Sequence, residues 1–251
     1  MNKSEAGHWY DRSGEPMYRI VGANGKERNT TLRDAKSLGL VPSVTTVMKM
    51  IAVPSLENWK MNQLLNSVMS LKQDENESDI AFMYRCKEDS NKIGKKAAEI
   101  GTKIHAQIEK GFLGKSKTKA YKAVRKILDE KYPNEKWIAE PSFCAKEGYG
   151  GKIDLYSKSG IFVDFKTKDN LKEKDAKNLV YDSHGIQLSA YAQGCGYEKP
   201  ERVSIFIDRK DTSVVLCYVW EQDTHERHLG MFNSILNYWK LSKNYDSAEK
   251  V

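Results

Sequence analysis

Asp154, Asp164 and Lys166 stand in one short segment, Gly151-Lys-Ile-Asp-Leu-Tyr-Ser-Lys-Ser-Gly-Ile-Phe-Val-Asp-Phe-Lys166. Its second half alternates: Ile161, Val163 and Phe165 fall on one face of a strand, and Phe162, Asp164 and Lys166 on the other. Its first half puts Ile153 and Leu155 on one face, with Lys152, Asp154 and Tyr156 on the other. A three-residue loop at Lys158-Ser159-Gly160, with the glycine left-handed, pairs Ser157 with Ile161. That register predicts Asp154 opposite Asp164, on a face shared with Lys166. A slip of one residue would part the two acids, and the apolar faces agree with the first register.

Directly opposed residues have Cβ atoms about 5 Å apart. Two carboxylates at that distance repel by roughly 3 kcal/mol at an effective dielectric of 20. The pairing makes physical sense if a divalent cation lies between them, and hard oxygen ligands favour Mg²⁺ or Mn²⁺ over Zn²⁺. Such an ion activates water and neutralises charge on a scissile phosphate. Lys166 would orient the water or stabilise the developing negative charge. An exposed hairpin with ordinary ion pairs uses the same residue types, so the flanking sequence must decide.

The elements that hold this hairpin follow from periodicity. The chain has 251 residues, 39% of them hydrophobic. That is enough for one domain, 1–251, with an N-terminal part over 1–50, a helical region over 51–135 that forms a possible arch, and a sheet core over 136–251. At the N-terminus, His8-Trp9-Tyr10 and Met17 to Val21 flank a turn at Asp11-Arg12-Ser13-Gly14, and Asn24-Gly25 signals a second turn. Thr31 to Leu38 predicts a helix ended by Gly39, and Ser43 and Ser55 each open another. Ile93, Ala97, Ile100, Ile104 and Ile108 make one apolar helical stripe, and a lysine-rich helix runs from Thr118 to Tyr132. Strands are expected at 137–146, 151–156, 161–166, 202–207 and 214–220, with helices at 186–194 and 224–241. The fold class is α/β, a central mixed β-sheet flanked by helices with a helical N-terminal half.

Lysine plus arginine is 41 and aspartate plus glutamate 34, a net charge of +7, which fits a polyanionic partner. There is neither a signal peptide nor a membrane-length apolar run, so a cytoplasmic location is expected. Cys86, Cys144, Cys195 and Cys217 show no CxxC spacing and read as small apolar packing residues.

Further motifs lie in order around the hairpin: Gly101-Thr-Lys-Ile-His105, Glu140-Pro-Ser-Phe, Gly151-Lys-Ile-Asp154, Asp164-Phe-Lys166 and Gln187-Leu-Ser-Ala-Tyr191, with Val41-Pro-Ser-Val-Thr-Thr-Val47 upstream. This series resembles the RecB-like branch of the PD-(D/E)XK nuclease superfamily, which includes Cas4-like and mitochondrial genome maintenance exonucleases. The resemblance implies a restriction-endonuclease-like core and a Mg²⁺- or Mn²⁺-dependent deoxyribonuclease with a place in DNA repair or recombination. It implies that His105, Asp154, Asp164 and the carbonyl of Phe165 bind metal, and that Lys166 acts on the attacking water. It further implies that Glu140 supports the site or a second metal, and that Gln187 and Tyr191 hold Lys166 or the DNA backbone. Some members carry an iron–sulfur cluster on one upstream and three C-terminal cysteines. No cysteine follows Cys217 here, so no cluster is expected. That likeness is to the cluster-free exonucleases, phage-encoded ones among them.

Lys92, Lys95, Lys96 and Lys103 border the helix of His105 and are expected to meet DNA, with a second basic run at Lys115, Lys117, Lys119, Lys122, Arg125 and Lys126. Trp59, Phe82 and Tyr84 are possible stacking groups for unpaired bases. An exonuclease acting on single strands or ends leads the readings. A structure-specific or restriction-type endonuclease shares the same chemistry. A DNA-binding recombination partner or inhibitor on the same fold would not need three charges converging on one face.

Overall fold

Asn24-Gly25 closes the first hairpin of the computed structural model, which describes residues 7–248. The short strand β1 (Trp9–Tyr10) precedes it, and β2 (Arg19–Val21) pairs with β3 (Glu27–Asn29) around that turn. The expected hairpin between 8–10 and 17–21 forms only in part: Tyr10 bridges Pro16 antiparallel and the Met17 N–H donates to the Trp9 carbonyl at 2.8 Å. β1 pairs as a strand with β4 (Val41–Pro42). The Asp11 turn does form, its carboxylate accepting from the N–H groups of Ser13 and Glu15.

Helix α1 (Leu32–Leu38) has a capping box between Thr31 and Asp34, and Gly39 ends it at φ 68°. Ser43 caps α2 (Val44–Met48), as expected. Helix α3 (Pro54–Ser70) starts without the expected serine cap. Pro54 takes the first turn and Val53 precedes it with no side-chain bond.

The described chain divides into two compact units, Ile51–Lys103 and the remainder. The first holds α3 and most of α4 (Asp79–Phe112), with Ser67 donating to Asp89 at 2.5 Å and Arg85 paired to Glu77 at 2.6 Å. The helical region expected over 51–135 starts where this unit starts but extends past its end. The apolar stripe on α4 is buried only at Ile104 and Ile108; Ile93 is 62% exposed. Its first members belong to Ile51–Lys103, where Leu56, Met61, Leu65, Ile80 and Met83 are exposed too.

The second unit carries α5 (Lys119–Lys131) and the sheet. The strands expected at 137–146 and 151–156 are each broken in two. They form β5 (Trp137–Ala139), β6 (Ser142–Ala145), β7 (Tyr149–Lys152) and β8 (Leu155–Ser157). Ala139 pairs with Leu155 and Ser142 with Lys152, so the register runs through the break with no residue inserted. Glu140 sits at φ 57°, outside the strand region, and Pro141 cannot donate. Two bonds, Glu140 N–H to the Asp154 carbonyl and Ile153 N–H to the Pro141 carbonyl, keep the bent ribbon together.

Strand β9 (Ile161–Lys168) is central. A crossover through α6 (Asp182–Gly194) leads to β10 (Glu201–Asp208), parallel to β9, and β11 (Val215–Val219) returns antiparallel. The sheet order is β11-β10-β9-β8-β5, a mixed sheet as the fold class predicts. Helix α7 (Thr224–Lys243) packs on α6. Among the described residues no helix is long and apolar enough to cross a membrane.

Arg202 fastens this layer. Fully buried on β10, it donates to Ser189 on α6 at 2.9 Å, to the Glu221 carbonyl at 2.7 Å and to Thr224 at 2.9 Å. Burial lowers its pKa to about 10, which leaves it charged at neutral pH. Removing it would strand several buried polar partners and open a cavity. Arg202→Ala is expected to cost on the order of 3 kcal/mol. Thermal melting should show a fall of roughly 10 °C.

Candidate active site

Asp164 is 2% exposed, yet it is a carboxylate in the middle of a sheet. Its companions come from β9 and α6. The Lys166 ammonium donates to Asp164 Oδ1 at 2.8 Å and to Gln187 Oε1 at 3.2 Å. Gln187 Nε2 donates to Asp164 Oδ1 at 3.0 Å and to the Tyr191 hydroxyl at 2.9 Å. A lysine can only donate, so it must meet the amide oxygen, and that leaves the amide nitrogen for Asp164 and Tyr191. Gln187 and Tyr191, one helical turn apart, thus close a network with the Asp-x-Lys pair.

The bend in the ribbon serves this network. It lays β6 and β7 against α6, where Phe143 meets the Tyr191 ring edge-on at 5.8 Å. Gly151 is there because nothing larger fits. A Cβ on it would stand 2.8 Å from both Phe143 and Tyr191.

Asp154 departs from the expected geometry. The loop at Lys158–Gly160 forms with Gly160 at φ 94°, and Ser157 pairs with Ile161 as predicted. The ladder ends at Leu155 and Val163, however, and the chain bends at Asp154. The two acids are therefore not a regular cross-strand pair. Asp154 Oδ2 accepts the Phe165 N–H at 2.7 Å, capping the edge of β9 that β8 has left open. The carbonyl of Phe165 points to that same edge, since one residue's N–H and C=O lie on one side of a strand. His105 Nδ1 is 3.4 Å from Asp154 Oδ1, and its ring packs edge-on to Phe165 at 5.9 Å. Glu140, at the bend, forms an ion pair with Lys152.

The charges separate the two acids. Burial raises the pKa of Asp164, and Asp154 adds to the rise while Lys166 opposes it. Burial also works against the charge on Asp154, but His105, Lys166 and the Phe165 N–H outweigh it and hold its pKa below the usual range. Desolvation disfavours a charged His105, yet Asp154 raises its pKa. Burial raises Glu140, against the pull of Lys152. It also raises Tyr191, which stays a neutral hydroxyl.

No protein-family model matches this chain, and no curated protein matches it. Among solved structures, SSO0001 aligns with a TM-score of 0.32 and 16% identity, covering 72% of this chain and 86% of that one. An alkaline exonuclease from Laribacter hongkongensis aligns with a TM-score of 0.38 and 11% identity, covering 80% of this chain and 91% of that one. Likeness at this level is too slight to identify an activity.

Among the described residues no three His, Cys, Asp or Glu side chains are gathered closely enough to hold a metal ion. Two carboxylates are nonetheless a suitable base for a small hard cation that keeps several waters. Asp164 Oδ2 is buried and accepts no hydrogen bond; the Lys166 ammonium is 2.7 Å away, near enough for an ion pair but poorly aligned for a bond. That oxygen, the Asp154 carboxylate and the Phe165 carbonyl are hard oxygen donors, the chemical type that suits Mg²⁺ or Mn²⁺. His105 lies against Asp154 as its neighbour.

Lys92, Lys95, Lys96 and Lys103 are exposed on α4 within Ile51–Lys103, and Lys92 is paired to Asp89 at 2.7 Å. Arg125 and Lys126 make surface pairs along α5, of the kind worth little. Sequence reasoning missed Lys152 as the partner of Glu140 and Phe143 as the support of Tyr191. Lys152 was within reach, because it shares the alternating face of Asp154.

The opposed shifts are testable by carbon NMR of the side-chain carboxyls in EDTA. Asp164 should take up its proton at higher pH than Asp154. Asp154→Asn should lower the Asp164 midpoint, because it removes a repelling charge. An unchanged midpoint would show that the two acids do not interact.

Proposed function

We propose that this chain is a metal-dependent nuclease of the PD-(D/E)XK superfamily, in its RecB-like branch, which hydrolyses phosphodiester bonds in DNA. One observation supports the reading above the others. Asp164, Lys166, Gln187 and Tyr191, four members of the motif series, join in one bonded network, with Asp154 on the adjoining amide of Phe165.

Asp154, Asp164 and the Phe165 carbonyl would hold Mg²⁺ or Mn²⁺, with His105 orienting Asp154. When bound, the ion supplies a polarised phosphate oxygen and a more acidic water. Lys166 brings a positive charge to the scissile phosphate, where negative charge develops on the phosphoryl oxygens. Gln187 steers that ammonium, and Tyr191 with Phe143 beneath it fixes Gln187. Glu140 is kept beside Asp154 by Lys152 and by its own main-chain bond across the bend.

The finer reading is exonucleolytic action on single strands or DNA ends. One gel series tests it, comparing end-labelled linear single strands, linear duplex and circular single strands with Mg²⁺, Mn²⁺ or EDTA. Linear DNA should be degraded only with metal, and circles should survive. Cut circles would make the protein an endonuclease.

Asp164→Asn should reduce cleavage by on the order of 10³-fold or more while DNA binding persists. Lys166→Ala should lose activity comparably and keep its affinity for metal, read by calorimetric titration of Mn²⁺. Full activity in Asp164→Asn would sink the mechanism.

A further inference from the structure

Strand β9 does not end its chemistry at Lys166. Lys168, its last residue, lies on the face of Asp164 and Lys166, because alternate residues of a strand share a face. Lys168 is half-buried, and no carboxylate lies within ion-pair distance of it among the described residues. Its ammonium is held 5.3 Å from the centre of the Tyr181 ring. Burial first, then Arg209, Lys174 and Lys166, lower its pKa, while the carboxylate of Asp208, its partner in the β9–β10 register, is taken up by the main-chain N–H groups of Leu171, Lys210 and Asp211. Asp169, the acid closest in sequence, is committed to a two-pronged pair with Arg209 at 2.8 and 2.6 Å.

His184, in the first turn of α6, belongs to the same place. Its ring packs edge-on to Tyr181 at 5.5 Å, and it is only 9% exposed. Its Nδ1 is buried without a hydrogen-bond partner. Burial, with Lys166 and Lys168 nearby, lowers its pKa to about 3, so the ring is neutral and offers a hydrogen bond, not a charge. A buried polar atom without a partner is costly, and so is a half-buried ammonium among other cations with no ion pair of its own. One ligand relieves both, an anion with several acceptor oxygens. The location is suitable too: the carboxyl end of the parallel pair β9 and β10 is where open α/β sheets receive ligands.

We propose that Lys168 and His184 form a second phosphate subsite, which binds the DNA phosphate adjacent to the one at Lys166. The proposal rests on the nuclease reading. Alternate residues of a strand are about 6.6 Å apart. Lys166 is tied to Asp164 and Gln187, and Lys168 to Tyr181. The two ammonium groups therefore serve different phosphates. Lys168 would draw the strand along β9 and set its register over the scissile bond.

The test is equilibrium binding of a labelled single-stranded oligonucleotide in EDTA across a range of salt. Lys168→Met keeps the aliphatic stem on Tyr181 and removes the charge. It should flatten the log–log salt slope by about 0.7, while Lys168→Arg keeps the wild-type slope. If wild type cleaves with Mg²⁺ and Lys168→Met binds with an unchanged slope, the subsite is wrong and the nuclease reading stands. A slope lost equally in Lys168→Arg would mean altered structure and would also overturn the subsite. If wild type neither binds nor cleaves DNA, both readings fall together.

Discussion

A carboxylate buried on the central strand is the constraint around which this site is organised. Asp164 has almost no contact with water, and an isolated charge in such a place is strongly disfavoured. Lys166 from the same face and Gln187 from the covering helix supply the compensation. That requirement fixes where α6 must run, since Gln187 has to reach β9 and Tyr191 has to brace Gln187. Arg202, donating from β10 to Ser189 on α6 and Thr224 at the start of α7, holds the helices in that position. The polar network and the packing layer are thus one arrangement.

The bend at Glu140-Pro141 and Ile153-Asp154 is the second determinant. A straight ribbon would have kept Asp154 in the ladder and β6–β7 in the main sheet. The bend releases Asp154 to cap the Phe165 amide and lays the ribbon on α6 beneath Tyr191. Backbone outside its preferred region costs energy, and it tends to persist where the surroundings hold it in place. Here the Glu140–Lys152 pair and two main-chain bonds hold it.

Much of this was legible in the residues. Strand alternation placed Asp164 and Lys166 on one face, and Lys158-Ser159-Gly160 gave the hairpin register. Spacing put Gln187 and Tyr191 on one side of a helix. What escaped were features that depend on distant partners. β1 also pairs with β4, some thirty residues along the chain, which local turn signals do not reveal. The bend needs a non-glycine residue at positive φ, which the residue type does not announce. The stripe from Ile93 to Ile108 is continuous in sequence, but burial depends on which compact unit each residue belongs to.

The two acids carry an asymmetry that bears on how such a site could work. Asp154 is held charged by His105, Lys166 and an amide, whereas Asp164 is pushed towards its neutral form and relies on Lys166. On the nuclease reading, Lys166 can attend to a phosphate only when the charge on Asp164 is met in another way. Gln187 contacts both partners, so it can keep the ammonium in place as that exchange occurs. A direct lysine–carboxylate pair alone would scatter the lysine once the carboxylate was engaged elsewhere. The amide between them turns a simple ion pair into one that can be separated without losing its geometry. That supplies a physical reason for a glutamine at this position, where a purely apolar helix face would have packed as well against the sheet.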